Sequence, residues 1–210
     1  MTQELMQNNI VTLSGKIVAE PVYSHRVYSE GFYESFIEVK RLSEQSDIIP
    51  ITLSDRLIED VGLSVGDYVT IYGQFRSYNK LIDNRSKLML TVFVREILDY
   101  DGEINPNQIE LYGFLCKEPV YRTTPFKREI CDLLVAVNRA YNKSDYIPCI
   151  AWGRNARFAK NLTTGDKIAL TGRIQSREYQ KQISEGVFET RTAYEISVNR
   201  IGLDEEEYED

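Results

Sequence analysis

The sequence predicts an all-β protein built from two copies of one small domain, each with one short helix. Two observations support this prediction. A stretch near the N-terminus recurs about a hundred residues later, and several short segments alternate apolar with polar residues, as half-buried strands do. The 210 residues have room for two domains of about 100 residues each. Hydrophobic residues make up 42% of the chain, which is enough to form packed cores.

The repeat begins without a gap. Residues 9–23 align with residues 107–121, and the shared residues lie 98 positions apart. Further along the chain the shift is 98 or 99. The residues that recur are Gly15, Glu20, Pro21, Val22, Tyr23, Ile49, Pro50, Gly66, Asp67 and Gly73. So many matches at nearly one offset indicate a duplicated domain.

Each copy shows the same order of elements. In the first strand, apolar residues alternate around Gly15 and Gly113, and the glycine indicates a sharp bend. Polar loops and Gly-Asp turns separate the later elements. The predicted second strands cover 36–39 and 130–137, with loops at 41–47 and 139–145 leading into the third strands. Helices follow at 55–61 and 155–162, fourth strands at 68–78 and 167–179, and fifth strands at 88–98 and 192–201.

Five strands with one helix between the third and the fourth are typical of the OB-fold barrel, a common scaffold for oligonucleotide binding. The predicted fold class is therefore all-β, with two tandem five-stranded OB-fold barrels. Residues 1–103 form copy one and residues 104–203 form copy two, with a linker near 99–106. Residues 204–210 are nearly all acidic, and we expect them to be a disordered tail.

Charge is distributed unevenly along the chain. The net charge of −7 divides into −6 for residues 1–104, +5 for residues 105–203 and −6 for residues 204–210. Copy two is thus a basic module between two acidic segments, and the whole-chain value hides a surface that could attract phosphates.

Little in the sequence favours catalysis, a metal site or a cofactor. His25 is the only histidine, and we expect it in a loop or turn. Cys116, Cys131 and Cys149 form no Cys-x-x-Cys pair and suggest reduced thiols in strand cores. Neither a secretion signal nor an apolar run of about 20 residues is present, so we expect a cytoplasmic protein with no membrane partner. The prediction is a non-enzyme without cofactors.

Strand alternation in copy two separates an inner from an outer face. On the third strand, Ile147, Cys149 and Ala151 are predicted to face the barrel interior, and Tyr146, Pro148, Ile150 and Trp152 to face outward. On the fourth, the inner residues are Ile168, Leu170, Gly172, Ile174 and Ser176. The outer residues include Arg173, Arg177 and Tyr179, with Arg154 and Arg157 nearby at the helix start. Flat rings beside guanidinium groups suit single-stranded nucleic acid. The alternative is that the rings pack against the other copy or a second subunit.

Copy two resembles the bacterial single-stranded DNA-binding protein family along almost its whole length. The motifs that carry the resemblance are Asn107-x-Ile-x-Leu-x-Gly-x-Leu115, Glu118-Pro-Val-Tyr-Arg122, Leu134-Val-Ala-Val-Asn-Arg139, Tyr146-Ile-Pro-Cys-Ile-Ala-Trp-Gly153 and Gly172-Arg-Ile-Gln-Ser-Arg-Glu-Tyr179. The resemblance implies that the aromatics which stack on DNA are Tyr141, Tyr146, Trp152 and Tyr179. With the basic residues, the candidate nucleic-acid-binding set is Tyr141, Tyr146, Trp152, Tyr179, Arg139, Arg154, Arg173 and Arg177.

Copy one departs from this pattern. Its residues at the four stacking positions are Ser43, Ile48, Ser54 and Lys80, so none is aromatic. It keeps Tyr72, Arg76 and Tyr78 on the outer face of its fourth strand, but its net charge is −6. We therefore expect copy one to act mainly in structure and pairing. Family members commonly end in an acidic segment with a hydrophobic tip that recruits replication and repair enzymes, and this chain ends in Glu-Asp without such a tip.

The sequence thus predicts a non-catalytic protein that binds single-stranded DNA with little sequence preference in replication, recombination or repair. Because the family usually assembles four OB folds, the resemblance also implies a homodimer. One alternative is a weakly DNA-binding accessory or primosomal-type factor that mainly docks replication or repair proteins. Another is a structural OB-fold pair with its aromatics buried in an oligomer interface.

Overall fold

The structure is a computed structural model that describes residues 7–82, 84–100, 102 and 106–204. Half of the predicted linker, residues 101 and 103–105 of 99–106, lies outside the described residues, and so does the tail prediction beyond Asp204. The described residues form a single 12-stranded sheet that is folded into two barrels. None of the helices in this part of the chain is long and apolar enough to cross a membrane.

Copy one contains six strands and a helix. They are β1 (Asn9–Ile17), β2 (Val22–Val27), β3 (Glu30–Lys40), β4 (Ser46–Ser54), α1 (Asp55–Val61), β5 (Tyr68–Ile82) and β6 (Arg85–Asp99). Copy two repeats this order with β7 (Asn107–Leu115), β8 (Val120–Thr123), β9 (Glu129–Arg139), β10 (Lys143–Trp152), α2 (Arg154–Ala159), β11 (Lys167–Ser184) and β12 (Val187–Leu203).

In each copy five strands close into a barrel. Copy one pairs β3, β4, β6, β5 and β1 in that order, and the β1–β3 pairing closes the ring. Copy two pairs β9, β10, β12, β11 and β7, and β7–β9 closes it. The helix lies between the third and fourth barrel strands in both. The predicted fold of two tandem five-stranded barrels with one short helix each is confirmed.

Several predicted element bounds were wrong. Two strands were not predicted, β2 and β8, which pair with the outer edges of β3 and β9. Every residue of β2 is exposed, so its sequence lacks the alternation that marks a half-buried strand. His25 consequently lies in a strand, with its ring stacked on Phe32 at 5.2 Å, and not in a turn. The second, fourth and fifth barrel strands are also longer than predicted, because their ends extend beyond the apolar alternation.

The α1 prediction was confirmed, whereas α2 ends three residues earlier than expected, at Ala159. The next amides, of Asn161 and Leu162, bond to carbonyls three residues back, which tightens the last turn out of the α-helical pattern. Gly66 and Gly165, with φ of 102° and 99°, form the predicted Gly-Asp turns before the fourth barrel strands.

The two barrels are joined by antiparallel pairing of β1 with β7. Val11 pairs with Ile109, its own equivalent 98 positions later. A local twofold axis therefore passes through this pair and relates the copies. Each edge-closing contact needs a glycine, since a Cβ on Gly15 would lie 2.2 Å from the Glu38 carbonyl oxygen and one on Gly113 2.5 Å from that of Ala136.

All three cysteines are free thiols. Cys131 and Cys149 are buried in the core of copy two, and Cys116 lies partly buried just after β7. Burial raises the pKa of all three, so they are poor nucleophiles. The predicted position in strand cores is thus confirmed for Cys131 and Cys149 and is wrong for Cys116.

Candidate nucleic-acid interface

The outer side of β10 presents the two central aromatic residues. The predicted inner residues Ile147, Cys149 and Ala151 are all buried, while Tyr146 is 44% and Trp152 37% exposed. Ile150 was predicted on the outer face, but it is only 5% exposed. At this position β10 is paired on both sides, with β9 through Asp132 and with β12 through Ser197, so Ile150 lies within the sheet and not at its edge. Apart from Ile150, the alternation of β10 is confirmed.

Trp152 lies at the end of β10, where the chain turns sharply. Gly153 follows with φ of 52°, and its amide donates to the Glu129 carbonyl oxygen at 2.9 Å, which fixes the turn into α2. Trp152 pairs with Ile130 of β9, which in turn pairs with Arg122 of β8. Ile130 is buried between these two neighbours. The backbone of Trp152 is thus fixed by strand pairing, and its side chain keeps part of its surface open to solvent.

Arg154 begins α2 directly after this turn. Its side chain is exposed, and within the part of the chain that the structure describes no ion pair or hydrogen bond holds it. Arg157, one turn later, is paired with Glu129. Arg154 is thus the basic side chain nearest in sequence to Trp152 that is open to a ligand.

Tyr179 and Arg177 lie on the outer side of β11. Tyr179 is 38% exposed, and the Arg177 guanidinium carbon is 5.9 Å from the centre of its ring, within the range of a cation–π contact. The Nε of Arg177 is also 3.3 Å from a carboxylate oxygen of Glu195. The inner alternation of β11 holds as far as Ile174. It fails at the next two residues, since Gln175 is buried and Ser176 is not, because β11 leaves the barrel here to form a long hairpin with β12.

Tyr141 is separate from this face. It lies in the turn between β9 and β10, where Tyr141 and Asn142 have φ of 62° and 54°. Its side chain is 93% exposed and is set by the turn and not by the sheet. The structure therefore places Tyr146 and Trp152 on the same face of β10, about 20 Å apart along the strand. It places Tyr179 on β11 and Tyr141 on a separate turn.

Three of the four candidate arginines already have a carboxylate neighbour. Arg177 has Glu195, Arg139 lies 3.6 Å from Asp145, and Arg173 lies 3.2 Å from Asp47 of copy one. Burial, followed by the repulsion of Arg41, lowers the pKa of Arg173, and Asp47 opposes this shift. Glu195 and Asp145 are already counted in the net charge of +5 of copy two, so only Asp47 of copy one reduces its positive charge further.

The sequence analysis missed two buried aspartates that connect the copies. Asp47 accepts a hydrogen bond from the Ser176 amide at 2.8 Å, and Asp145 accepts one from the Ser77 amide at 2.7 Å. The serine hydroxyls in turn accept from the amides of Ile48 and Tyr146. These two contacts, which we call the interdomain clamps, are related by the local twofold axis.

A signal for the clamps was present in the repeat. Arg41 and Asp47 recur at a shift of 98 as Arg139 and Asp145, and Ser77 recurs at 99 as Ser176. These residues are shared by both copies, whereas the four stacking positions are not. Residues that a duplicated domain keeps in both copies indicate structural roles.

Copy one uses its equivalents of the stacking positions differently. Ser54, the equivalent of Trp152, caps α1 by accepting a hydrogen bond from the Leu57 amide. Ile48 and Lys80 are exposed. Arg76 lies 3.9 Å from the centre of the Phe93 ring, and burial, followed by the repulsion of Arg139, lowers its pKa to about 10. Tyr78 remains 38% exposed, so of these residues only Tyr78 presents an open aromatic ring.

Comparison with known proteins assigns these features to a family. A model of the single-strand binding protein family matches residues 106–204. Single-stranded DNA-binding protein 1 of Staphylococcus aureus is 36% identical over 91 residues, which are 40% of this chain and 54% of that protein. Single-stranded DNA-binding protein 1 of Streptococcus pyogenes is 33% identical over 96 residues, 42% of this chain and 74% of that protein. The chain spans about half the length of the first curated relatives that it matches.

The crystal structure of the single-stranded DNA binding protein from Thermus aquaticus has the same fold. It superposes with a TM-score of 0.70 at 21% identity, covering 94% of this chain and 93% of that one. This similarity extends the structural likeness to copy one, which the family model does not match.

Proposed function

The chain belongs to the bacterial single-strand binding protein family, and from this premise we propose that it binds single-stranded DNA with little sequence preference. The observation that carries the proposal is the row of half-exposed rings, Tyr146 and Trp152 on β10 and Tyr179 on β11. Bases of any sequence can stack on such rings, because every base has a π-face. Arg154 and Arg177 supply charge for the phosphates beside them.

We assign most of the binding to copy two, residues 104–203, and a structural and pairing role to copy one, residues 1–103. Copy two has the aromatic row and a net charge of +5, while copy one has non-aromatic residues at the same positions and a net charge of −6. The proposed role is non-catalytic, in protecting single strands during replication, recombination or repair. Tyr141, on its exposed turn, would join the binding site when a strand passes over the β9–β10 turn.

We also propose a homodimer with four barrels. The outer face of the central strands β5, β1, β7 and β11 combines exposed apolar residues with polar and charged ones, among them Glu110 opposite Ile10. Ile10 is 40% and Tyr112 37% exposed there, with Tyr72 and Ala169 beside them in the register. This face lies opposite the barrel interiors and spans both copies, so a second chain could cover it as one continuous sheet face.

The test of DNA binding is a titration of fluorescent oligo-dT, at two salt concentrations, with wild type and the Trp152→Ala/Tyr179→Ala variant. Stacking contributes about 1–3 kcal/mol per base, so each lost ring should weaken binding by about fivefold or more. On a single strand, the slope of log affinity against log salt should be about −0.7 for each phosphate contact. Tyr23→Ala is the matched control, since Tyr23 is 56% exposed on β2 of copy one.

Salt-sensitive binding that is lost in the double variant and kept in the control supports the proposal. If wild type does not bind, or if the Trp152→Ala/Tyr179→Ala variant binds as well as wild type, the aromatic row is not a binding surface. The alternatives based on protein contacts then take its place.

A further inference from the structure

An open groove of about 490 Å³ lies between the two copies. Its walls come from the β5–β6 hairpin of copy one and the β11–β12 hairpin of copy two. Pro50 and Pro148, which are equivalent residues of the two copies, both line it. The groove is thus composed of both halves of one chain and follows their local twofold symmetry.

Like the aromatic row, the lining of the groove combines partly exposed aromatic rings with basic side chains. Tyr78 of copy one and Tyr179 of copy two are each 38% exposed and both line it. Its charged side chains are Lys87, Lys181, Arg191 and Glu34. Arg191 is already paired with Glu189 at 2.6 Å, so Lys87 and Lys181 are the basic groups open to a ligand, against Glu34. This positive balance favours a polyanion over an acidic or neutral peptide. Copy one, although acidic overall, presents Lys87 and Tyr78 at this place.

The groove continues the outer face of β10. Pro148 lies on that face next to Tyr146, in the same alternation as Trp152. The Tyr146 amide donates to the Ser77 hydroxyl at 2.7 Å. Ser77 directly precedes Tyr78, so this hydrogen bond fixes the backbone next to Tyr78 against Tyr146. The interdomain clamp at Asp145 therefore sets the position of Tyr78 relative to the aromatic row.

Tyr78 itself is held in place. Its hydroxyl is 3.3 Å from Glu34, and burial, followed by the charge of Glu34, raises its pKa to about 12. The ring stays neutral at physiological pH, and its hydroxyl is anchored while part of its surface remains open. A preorganised ring loses little conformational freedom when a base stacks on it.

We propose that a single strand bound on copy two passes through this groove onto copy one, with Tyr78 as a stacking residue and Lys87 as a phosphate contact. This inference rests on the proposed function and extends it, because it makes copy one part of the binding site. One chain then binds a longer stretch of DNA than one barrel does, although copy one lacks the four stacking aromatics.

The experiment compares oligo-dT of about 8 and about 30 nucleotides, since one OB fold contacts about 4–16 nucleotides. Tyr78→Ala should weaken binding of the long oligonucleotide by about fivefold or more, following the contribution of about 1–3 kcal/mol per stacked base. It should leave the short one, held on copy two, nearly unchanged. Tyr78→Phe keeps the ring but removes its hydroxyl contact with Glu34, so it should lose less affinity than Tyr78→Ala. Tyr23→Ala is the control for an exposed tyrosine outside the groove.

A second variant tests the phosphate contact. Lys87→Ala should reduce the salt slope for the long oligonucleotide by about 0.7, and Lys40→Ala, at the exposed end of β3, should not change it. Circular dichroism of each variant reports whether it folds. If Tyr78→Ala does not fold, Lys87→Ala alone tests whether the strand passes through the groove.

The outcomes separate this inference from the proposed function. If wild type binds and Trp152→Ala weakens binding, but Tyr78→Ala and Lys87→Ala bind the long oligonucleotide normally, the groove is not part of the strand path. If wild type binds neither oligonucleotide, the proposed function itself fails. A long-oligonucleotide defect in both groove variants, with normal controls, supports the path through copy one.

Discussion

Removing the Asp47 carboxylate should strongly destabilise the fold, because this buried group holds three partners at once. Its side chain is fully buried and accepts from Nε and Nη2 of Arg41 at 2.8 and 2.6 Å. It also accepts from Nη1 of Arg173 at 3.2 Å and from the Ser176 amide at 2.8 Å. Two of these partners belong to copy two, so Asp47 joins the barrels as well as ordering its own loop.

The magnitude follows from the burial of each partner. Deleting one member of a buried ion pair costs about 3–5 kcal/mol, because the other charge is left unpaired. The side chains of Arg41 and Arg173 remain 24% and 31% exposed, so water can partly solvate them in the Asp47→Ala variant. The lower end, about 3 kcal/mol, is therefore expected. For a chain of this size, about 2–4 °C of Tm corresponds to each kcal/mol, and Tm should fall by about 6–12 °C.

The assay is differential scanning calorimetry at pH 7 with a matched control. Asp132→Ala removes the carboxylate from the ion pair with Arg122, whose side chains are 52% and 40% exposed. Exposed pairs contribute about 0–1 kcal/mol, so Tm of the control should change by no more than about 4 °C. If Asp47→Ala lowers Tm no more than Asp132→Ala does, the clamp does not stabilise the protein and the reasoning is refuted.

Two further predictions concern assembly and pH. Light scattering should give twice the chain mass of 24.3 kDa for wild type. Tyr112→Glu places a charge on the outer face of β7 and should give a monomer. A monomeric wild type would contradict the dimer. Burial raises the pKa of Asp145 against the opposing effects of the Ser77 amide and Arg139, so the native state holds this proton more tightly than the unfolded chain does. The ordinary pKa of aspartate is about 4. As pH rises from 4 to 7, the Tm of wild type should therefore fall relative to that of Asp145→Asn. The opposite trend in Tm would show that the ionised carboxylate is stabilised by its partners.

Much of the fold could be predicted because its signals are local. The alternation along β10 placed Ile147, Cys149 and Ala151 inside and Tyr146 and Trp152 outside, and all five agree with their burial. The alternation failed at Ile150, which is buried on the outer face, and at Gln175 and Ser176, where β11 leaves the barrel. It could not show β2, whose residues are all exposed. These exposures depend on the surrounding tertiary structure and not on the strand's own periodicity.

The candidate site was predictable in part. The positions of the candidate stacking residues follow from the family resemblance, and the structure places Tyr146, Trp152 and Tyr179 on outer faces with their rings partly exposed. The ion pairs of the candidate arginines could not be predicted from the sequence. Arg173 and Asp47 lie 126 residues apart in the chain, and their contact forms only when the barrels pair.

The sequence by itself determined the duplicated all-β architecture, the inner and outer faces of the barrel strands, and the difference between an aromatic copy two and a non-aromatic copy one. These properties depend on periodicity, turn residues and composition, which act over a few residues. Only the tertiary structure decided the pairing of Val11 with Ile109, the interdomain clamps at Asp47 and Asp145, and the groove that Tyr78 shares with Tyr179. Each of these depends on how two closed barrels meet, and the geometry of that contact is set by side chains about 100 residues apart, which no local pattern encodes.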